Sequence, residues 1–481
     1  MGVVARQSFL NLFSIGIGFL VGAVNVLFLY PIYMGDSRQG LVVGLLAVSN
    51  LLQPFISFGL QHALIKFFSS FENKQDKDAF LVCIVLAPLI ICSILLLVYT
   101  GYPQLLDRLL QSNASISFPY LEFILLIAVS TAYFEVFNSW LRVHLKSVFG
   151  NLLKELYPRL LIAVLILGFS FQWYDFNQFM YLLLGGYYVR LLLVIGFSLW
   201  VYRPVITAKI PPQIRSIVRY SLLIFLSGAA ASFILDIDKA MLLTFSKEEV
   251  AYYSVAIYIA AVIEAPGRAL FQIISPVVAQ ALNAKNSHRT ADLLQKSSTL
   301  LLLVSGGCFL LIQLNLTDFY TFLQPEYRVA IGVVQLVSLG KLYSMSTGCL
   351  NQIISNSDYY PYVLFFSVSA ALLAVLLNMY CIPRFGLMGA AYATLFVLIC
   401  INTLKIGLLY WKMKMQPYSG DTLKIVLSIF GVSLVFQWVH FSYAPLVNML
   451  IQSAIAGIMY LGILYSTGAM KTVAPYLKRK N

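Results

Sequence analysis

Apolar runs of 20 or more residues recur along all 481 residues of the sequence. As a helix, at about 1.5 Å per residue, one such run crosses the ~30 Å hydrocarbon core of a bilayer. Only 11% of the residues are charged and 60% are hydrophobic. A soluble domain carries about a quarter charged residues, so no aqueous surface could be covered here. The sequence therefore predicts an all-α, polytopic membrane protein and excludes a soluble enzyme. The net charge of +13 would suggest nucleic acid on a soluble protein. Here Lys and Arg sit at the ends of runs and in short loops, where they set topology and meet anionic lipid headgroups, so no nucleic-acid partner is expected.

Fourteen spans are read, with approximate limits 7–33, 41–65, 79–101, 118–140, 151–172, 178–201, 217–243, 251–275, 295–318, 329–353, 361–382, 386–411, 421–441 and 447–468. The first run is too long for the apolar stretch of a cleaved signal and reads as a span. With the N-terminus in the cytoplasm, inner loops and ends hold seventeen Lys and Arg and outer loops hold five (Arg38, Arg108, Lys247, Arg328 and Arg384). That bias puts both termini in the cytoplasm, including the basic tail Lys478-Arg479-Lys480. The six cysteines form no CxxC pair and read as small core residues.

The spans repeat. The first and seventh, fourth and tenth, and fifth and eleventh start about 210 residues apart, and Pro54 and Pro266 are 212 apart. Six crossings return a chain to the same side. The pattern predicts two parallel six-helix lobes, residues 1–202 and 217–411, with a cytoplasmic linker at 203–216. Residues 412–481 carry two further helices and the tail. Parallel repeats of this kind are typical of alternating-access transporters.

Two stretches carry a family resemblance. One runs from Asp236 to Leu282, DIDKAMLLTFSKEEVAYYSVAIYIAAVIEAPGRALFQIISPVVAQAL. The other is Asn378, Ile382, Pro383, Gly386, Gly389, Ala390 and Ala391 in NMYCIPRFGLMGAAYATL. Together with the basic segment between spans 8 and 9, they resemble bacterial polysaccharide and O-antigen flippases. These belong to the multidrug/oligosaccharidyl-lipid/polysaccharide exporter superfamily. The small residues of the second stretch read as a hairpin-packing motif, with Pro383 ending one span and the glycines and alanines letting the next pack tightly.

The resemblance implies a MATE-like fold in the bacterial cytoplasmic membrane. The implied activity is flipping of undecaprenyl-pyrophosphate-linked oligosaccharide for cell-surface polysaccharide such as lipopolysaccharide. It implies membrane lipids, a polysaccharide polymerase and chain-length proteins as partners. It implies no cofactor beyond coupling to a proton or sodium gradient or to the membrane potential.

Ionisable residues at bilayer depth are costly, and each is a functional candidate. Arg159, Arg190, Arg268 and Lys341 are expected to line a central cavity and hold a pyrophosphate. Arg does so by bidentate hydrogen bonds and Lys as a point charge. Glu135, Asp236, Asp238 and Glu264 are the candidates for gating or coupling. The competing reading is a set of structural ion pairs. It is the plainer one for Glu264 and Arg268, which stand four apart on one helix face. Arg190 and Lys341 have no acidic neighbour on their own helices, which favours function.

No P-loop, glycine fingerprint, HExxH or long catalytic loop occurs. Two other transporter readings remain. A multidrug antiporter of the same superfamily usually has fewer spans and an acidic cation site in its first half. A lipid II flippase usually carries arginines in its first span, and this first span has none.

Overall fold

Lipid offers the backbone no hydrogen-bond partner, so a spanning segment must satisfy its own N–H and C=O groups. The computed structural model of the chain describes residues 3–101, 120–207, 209–439 and 441–469, and no strand occurs among them. Arg108 and the tail from Lys471 to Lys480 lie outside the described residues. Among the described residues twelve helices are long and apolar enough to cross a membrane. Large apolar side chains point outward along them, among them Leu192, Trp200, Leu372, Phe396 and Leu450, as expected where lipid is the solvent.

The difference from fourteen has two local causes. The fifth expected span is two short helices, Ser147–Glu155 and Tyr157–Ser170, the second carrying Pro158 in its first turn. Proline suits that position because its missing N–H would have no helical partner there. The eleventh and twelfth expected spans run together in one long element, Pro361–Met413, which is broken at Gly386 with φ of 53° and ψ of −132°. A side chain disfavours that conformation, which suits glycine. At Gly389 an added Cβ would overlap the carbonyl oxygen of Cys381. Eight residues apart in a continuous helix, these two would be about 12 Å apart along the axis. The chain therefore folds back at Gly386, which sets Gly389 against the backbone at Cys381 and Ile382. Ala390 and Ala391, the next two residues, are fully buried.

The chain divides into two compact units, Met1–Ala251 and Tyr252–Asn481. In the first, the helix Leu121–Val143 packs on Asp36–Ser57, Leu60–Phe67 and Phe176–Val201. Its Phe134, Val136, Trp140 and Leu141 join Phe80, Leu81, Leu191 and Val194 in one core. The helix Ile214–Leu243 lies along Asp36–Ser57. At Gly40 a Cβ would overlap the carbonyl oxygen of Lys247, and at Gly44 it would come within 2.7 Å of Leu243. This close packing puts the seventh span into the first compact unit.

In the second unit, Ser287–Phe319 packs on Ala265–Asn283, Ile331–Ser346, Gly420–Gln437 and Pro445–Ser466. Ile425, Ile429, Val432, Ala456, Tyr460 and Leu464 from the last two helices share a core with Leu301, Leu302 and Leu310. The Tyr460 hydroxyl donates to the carbonyl of Leu303 at 2.9 Å. The last two helices are thus built into this unit.

Candidate functional site: cations at breaks in the spans

Two of the expected cations stand beside interruptions of helical geometry. Arg159 lies in the first turn of Tyr157–Ser170, just past the break at Leu156. Its Nη1 donates to Glu155 Oε2 at 3.1 Å and also to the Glu155 carbonyl. A third of the side chain stays exposed (33%). The first span contributes two small features. A Cβ on Gly18 would lie 2.8 Å from Arg159 Nη1, so glycine leaves room for the guanidinium. Asn25 opens a π-helical turn, Asn25–Leu29, and its Nδ2 donates to the Arg159 carbonyl at 2.7 Å. A π-turn widens the helix and commonly marks a functional position.

Arg190 sits mid-way along Phe176–Val201 and is 4% exposed. Its Nη2 donates to Thr131 Oγ1 at 3.2 Å. The guanidinium carbon lies 4.4 Å from the centre of the Phe134 ring and 4.7 Å from that of Tyr187. The negative faces of two rings hold the cation. Among the described residues no carboxylate forms an ion pair with it, and Nε has no hydrogen-bond partner. Tyr187 is within electrostatic reach of both Arg159 and Arg190.

Glu135 pairs with Lys154 at 2.7 Å. Asp236 holds Lys239 at 2.7 Å and accepts from Asn50 Nδ2 at 3.2 Å. Asp238, two residues on, is buried.

In the second unit the eighth span is interrupted by a 3-10 turn, Val262–Glu264, before Ala265–Asn283 starts with Pro266 in its first turn. Glu264 closes the turn. Its Oε2 accepts from Lys341 Nζ at 2.8 Å, and Arg268 Nη2 stands 3.9 Å away. Lys341 is 14% exposed and Arg268 53%. The sequence pairs Glu264 with Arg268 along one helix; the structure gives its tighter contact to Lys341 on another. Arg268 thus presents a half-exposed guanidinium beside a neutralised lysine.

Of the eight expected residues, Glu264, Arg268 and Lys341 form one cluster in the second unit. Arg159, Arg190 and Glu135 stand in the first unit, and Asp236 and Asp238 lie together on a separate stretch of it. Sequence reasoning missed the cage of Arg190. Tyr187 is three residues before it, on the same helix face, and was legible. Thr131 and Phe134 are on another helix and left no signal. Among the described residues no group of three or more His, Cys, Asp or Glu is placed to hold a metal ion.

Helices long and apolar enough to cross a bilayer, with cations embedded along them, define a multi-pass membrane protein. The family described as polysaccharide biosynthesis protein matches residues 4–282, more than half of the sequence, and the chain belongs to that family. No curated protein matches it in sequence. Among solved structures, the lipid II flippase MurJ in an inward closed conformation is similar over 98% of this chain and 100% of its own, with a TM-score of 0.77 and 17% identity. An inward-facing multidrug resistance MATE family transporter of the MOP superfamily is similar over 82% of this chain and 94% of its own, with a TM-score of 0.59 and 14% identity. A MOP superfamily transporter from Pyrococcus furiosus aligns over 86% of this chain and 96% of its own, with a TM-score of 0.54 and 15% identity. At these identities the likeness establishes the fold alone, which this chain shares with those flippase and transporter structures.

Proposed function

We propose that this protein flips an undecaprenyl-pyrophosphate-linked oligosaccharide across the bacterial cytoplasmic membrane by alternating access, for cell-surface polysaccharide synthesis. The observation that carries this reading is the shared carboxylate of Glu264. One acid faces two cations at a break in a span, so the group of three has an excess positive charge. A diphosphate entering beside Arg268 competes with Glu264 for the cations, and its departure lets the acid return. Binding and release then exchange one anion for another at no stage leaving a bare cation in a low-dielectric site. In this reading Arg268 and Lys341 of the second unit, and Arg159 and Arg190 of the first, are substrate-binding cations, with Glu135, Asp236 and Asp238 as gating or coupling groups.

The energy comes from a proton or sodium gradient or from the membrane potential. The working unit is two six-helix lobes, 1–202 and 217–411, within fourteen spans, with both termini cytoplasmic. If residues 1–202 and 217–411 fail to superpose helix on helix, the lobe description is wrong.

Deletion of the gene tests the function. Surface polysaccharide should disappear and its lipid-linked precursor should accumulate inside; unchanged surface polysaccharide overturns the proposal. A second reading is supported by the full-length likeness to the lipid II flippase. On that reading the accumulating species is lipid II, and cell-wall growth stops.

A further inference from the structure

Three helices of the second unit carry polar residues at a spacing of four: Gln313 and Thr317 in Ser287–Phe319, Ser433 and Gln437 in Gly420–Gln437, and Asn448 and Gln452 in Pro445–Ser466. Residues four apart share a helix face. A polar stripe facing lipid would leave hydrogen-bonding groups without partners, so the stripes should turn toward one another. They do. All six line one cavity of about 600 Å³, within the ~300–1,000 Å³ range of small-molecule sites. It lies where the C-terminal ends of the first two helices meet the N-terminal end of the third. It is separate from the cluster of Glu264, Arg268 and Lys341, none of which lines it.

The lining has a definite chemistry. Gln335 adds another carboxamide, and Phe309, Phe436 and Phe441 add aromatic surface. No Lys or Arg is present among the lining residues, and the one charged group is the carboxylate of Asp318. A phosphate or other anion finds only repulsion there. Gln313 Nε2, a donor, and Gln452 Oε1, an acceptor, are both buried without a hydrogen-bond partner. Buried polar groups are ordinarily paired, so these two cavity-lining carboxamides have hydrogen-bonding capacity to spare, which a turn of either side chain would offer to a ligand's own acceptor and donor. Hydroxyl groups supply both. Carboxamides and a carboxylate for hydroxyls, with rings for the C–H faces, make a site for a neutral saccharide.

We propose that this cavity binds an uncharged sugar unit, independently of any site for pyrophosphate. The sugar is either free saccharide or the headgroup of a glycolipid, and the chemistry at the protein is the same. The position between the last two helices gives those helices a role in recognising carbohydrate. The inference stands on the cavity alone, so it survives if the flippase reading fails.

The test uses the full chain in nanodiscs, prepared without sugar-based detergents, which would fill the site. Saturation-transfer NMR is recorded with glucose, galactose, N-acetylglucosamine and rhamnose, and with inorganic pyrophosphate as a control. A second arm compares melting temperature in nanodiscs of plain phosphatidylcholine and of phosphatidylcholine with glucosyl diacylglycerol. Signal from a free sugar identifies soluble saccharide; stabilisation by the glycolipid alone identifies a lipid headgroup. In either case Q313L/Q452L should weaken the response at least fivefold. Because buried changes can unfold a protein, Q437W, at an exposed rim position, provides a second variant that should block entry while the melting temperature in plain lipid stays the same. Absence of any sugar response in the wild-type protein overturns the proposal. So does a response that both variants leave intact. Stabilisation by sodium that D318N abolishes, with no sugar effect, would make this a cation site and overturns it as well.

Discussion

Lys341 Nζ lies 2.8 Å from Glu264 Oε2, a contact between the tenth span and the interrupted eighth. Neither helix carries the partner within its own sequence neighbourhood, and the pair is mostly shielded. Removing one member leaves the other charged in a poorly hydrated place; removing both leaves only Arg268, which is half exposed. E264A and K341M should each lower the melting temperature, while E264A/K341M should lower it less than their sum. The coupling expected for contacting groups is about 0.5–3 kcal/mol. Additive losses in a thermal double-mutant cycle would mean that the two do not interact. In the transport assay, K341A should abolish polysaccharide export even when protein level and fold are normal.

Arg190 is held by two rings and a hydroxyl, which makes its shape as important as its charge. A desolvated cation–π contact is worth about 2 kcal/mol. R190A should therefore destabilise the protein by about that amount and stop transport. R190K keeps the charge and loses the planar fork, so it should recover less than half of the transport rate. Full activity of R190A in a complementation assay would remove Arg190 from the proposed substrate-binding cations.

Gly40 lets the second span touch the backbone at Lys247, and no larger residue fits that contact. If alternating access separates these segments, G40V should favour the separated state. Paired spin labels at Ser37 and Glu248 should then report a longer distance in G40V than in the unmodified protein. An unchanged distance distribution would show that this contact does not take part in the conformational change.

Both termini are predicted to be cytoplasmic from the placement of Lys and Arg. A cysteine introduced at Lys480 should resist an impermeant maleimide in intact cells and react after permeabilisation. Labelling from outside would reverse the topology.

The cluster around Glu264 shows where reading the sequence runs out. Glu264 and Arg268 stand four apart and could be paired on paper, because helical periodicity brings them together. Lys341 is 77 positions away from Glu264, and no periodicity relates the two. The same holds for Arg190, whose neighbour Tyr187 is on its own helix but whose other contacts, Thr131 and Phe134, are not. The pairs Gln313 and Thr317, Ser433 and Gln437, and Asn448 and Gln452 each follow from helical spacing, but their convergence on one cavity does not.

By itself the sequence determined that this chain is all helix and lives in a bilayer. Both follow from local quantities: the length of each apolar run, the scarcity of charge, and a glycine at the turn between residues 385 and 387. Only the tertiary structure decided which helices touch. It placed the seventh span beside the second, built the last two helices into the second unit's core, and chose Lys341 over Arg268 for Glu264. The reason is physical. An apolar run is equally at home against lipid or against another apolar helix, so hydrophobicity specifies the membrane without specifying the neighbour. The neighbour is selected by side-chain shape and by a few polar contacts, and these are made between residues far apart in the chain.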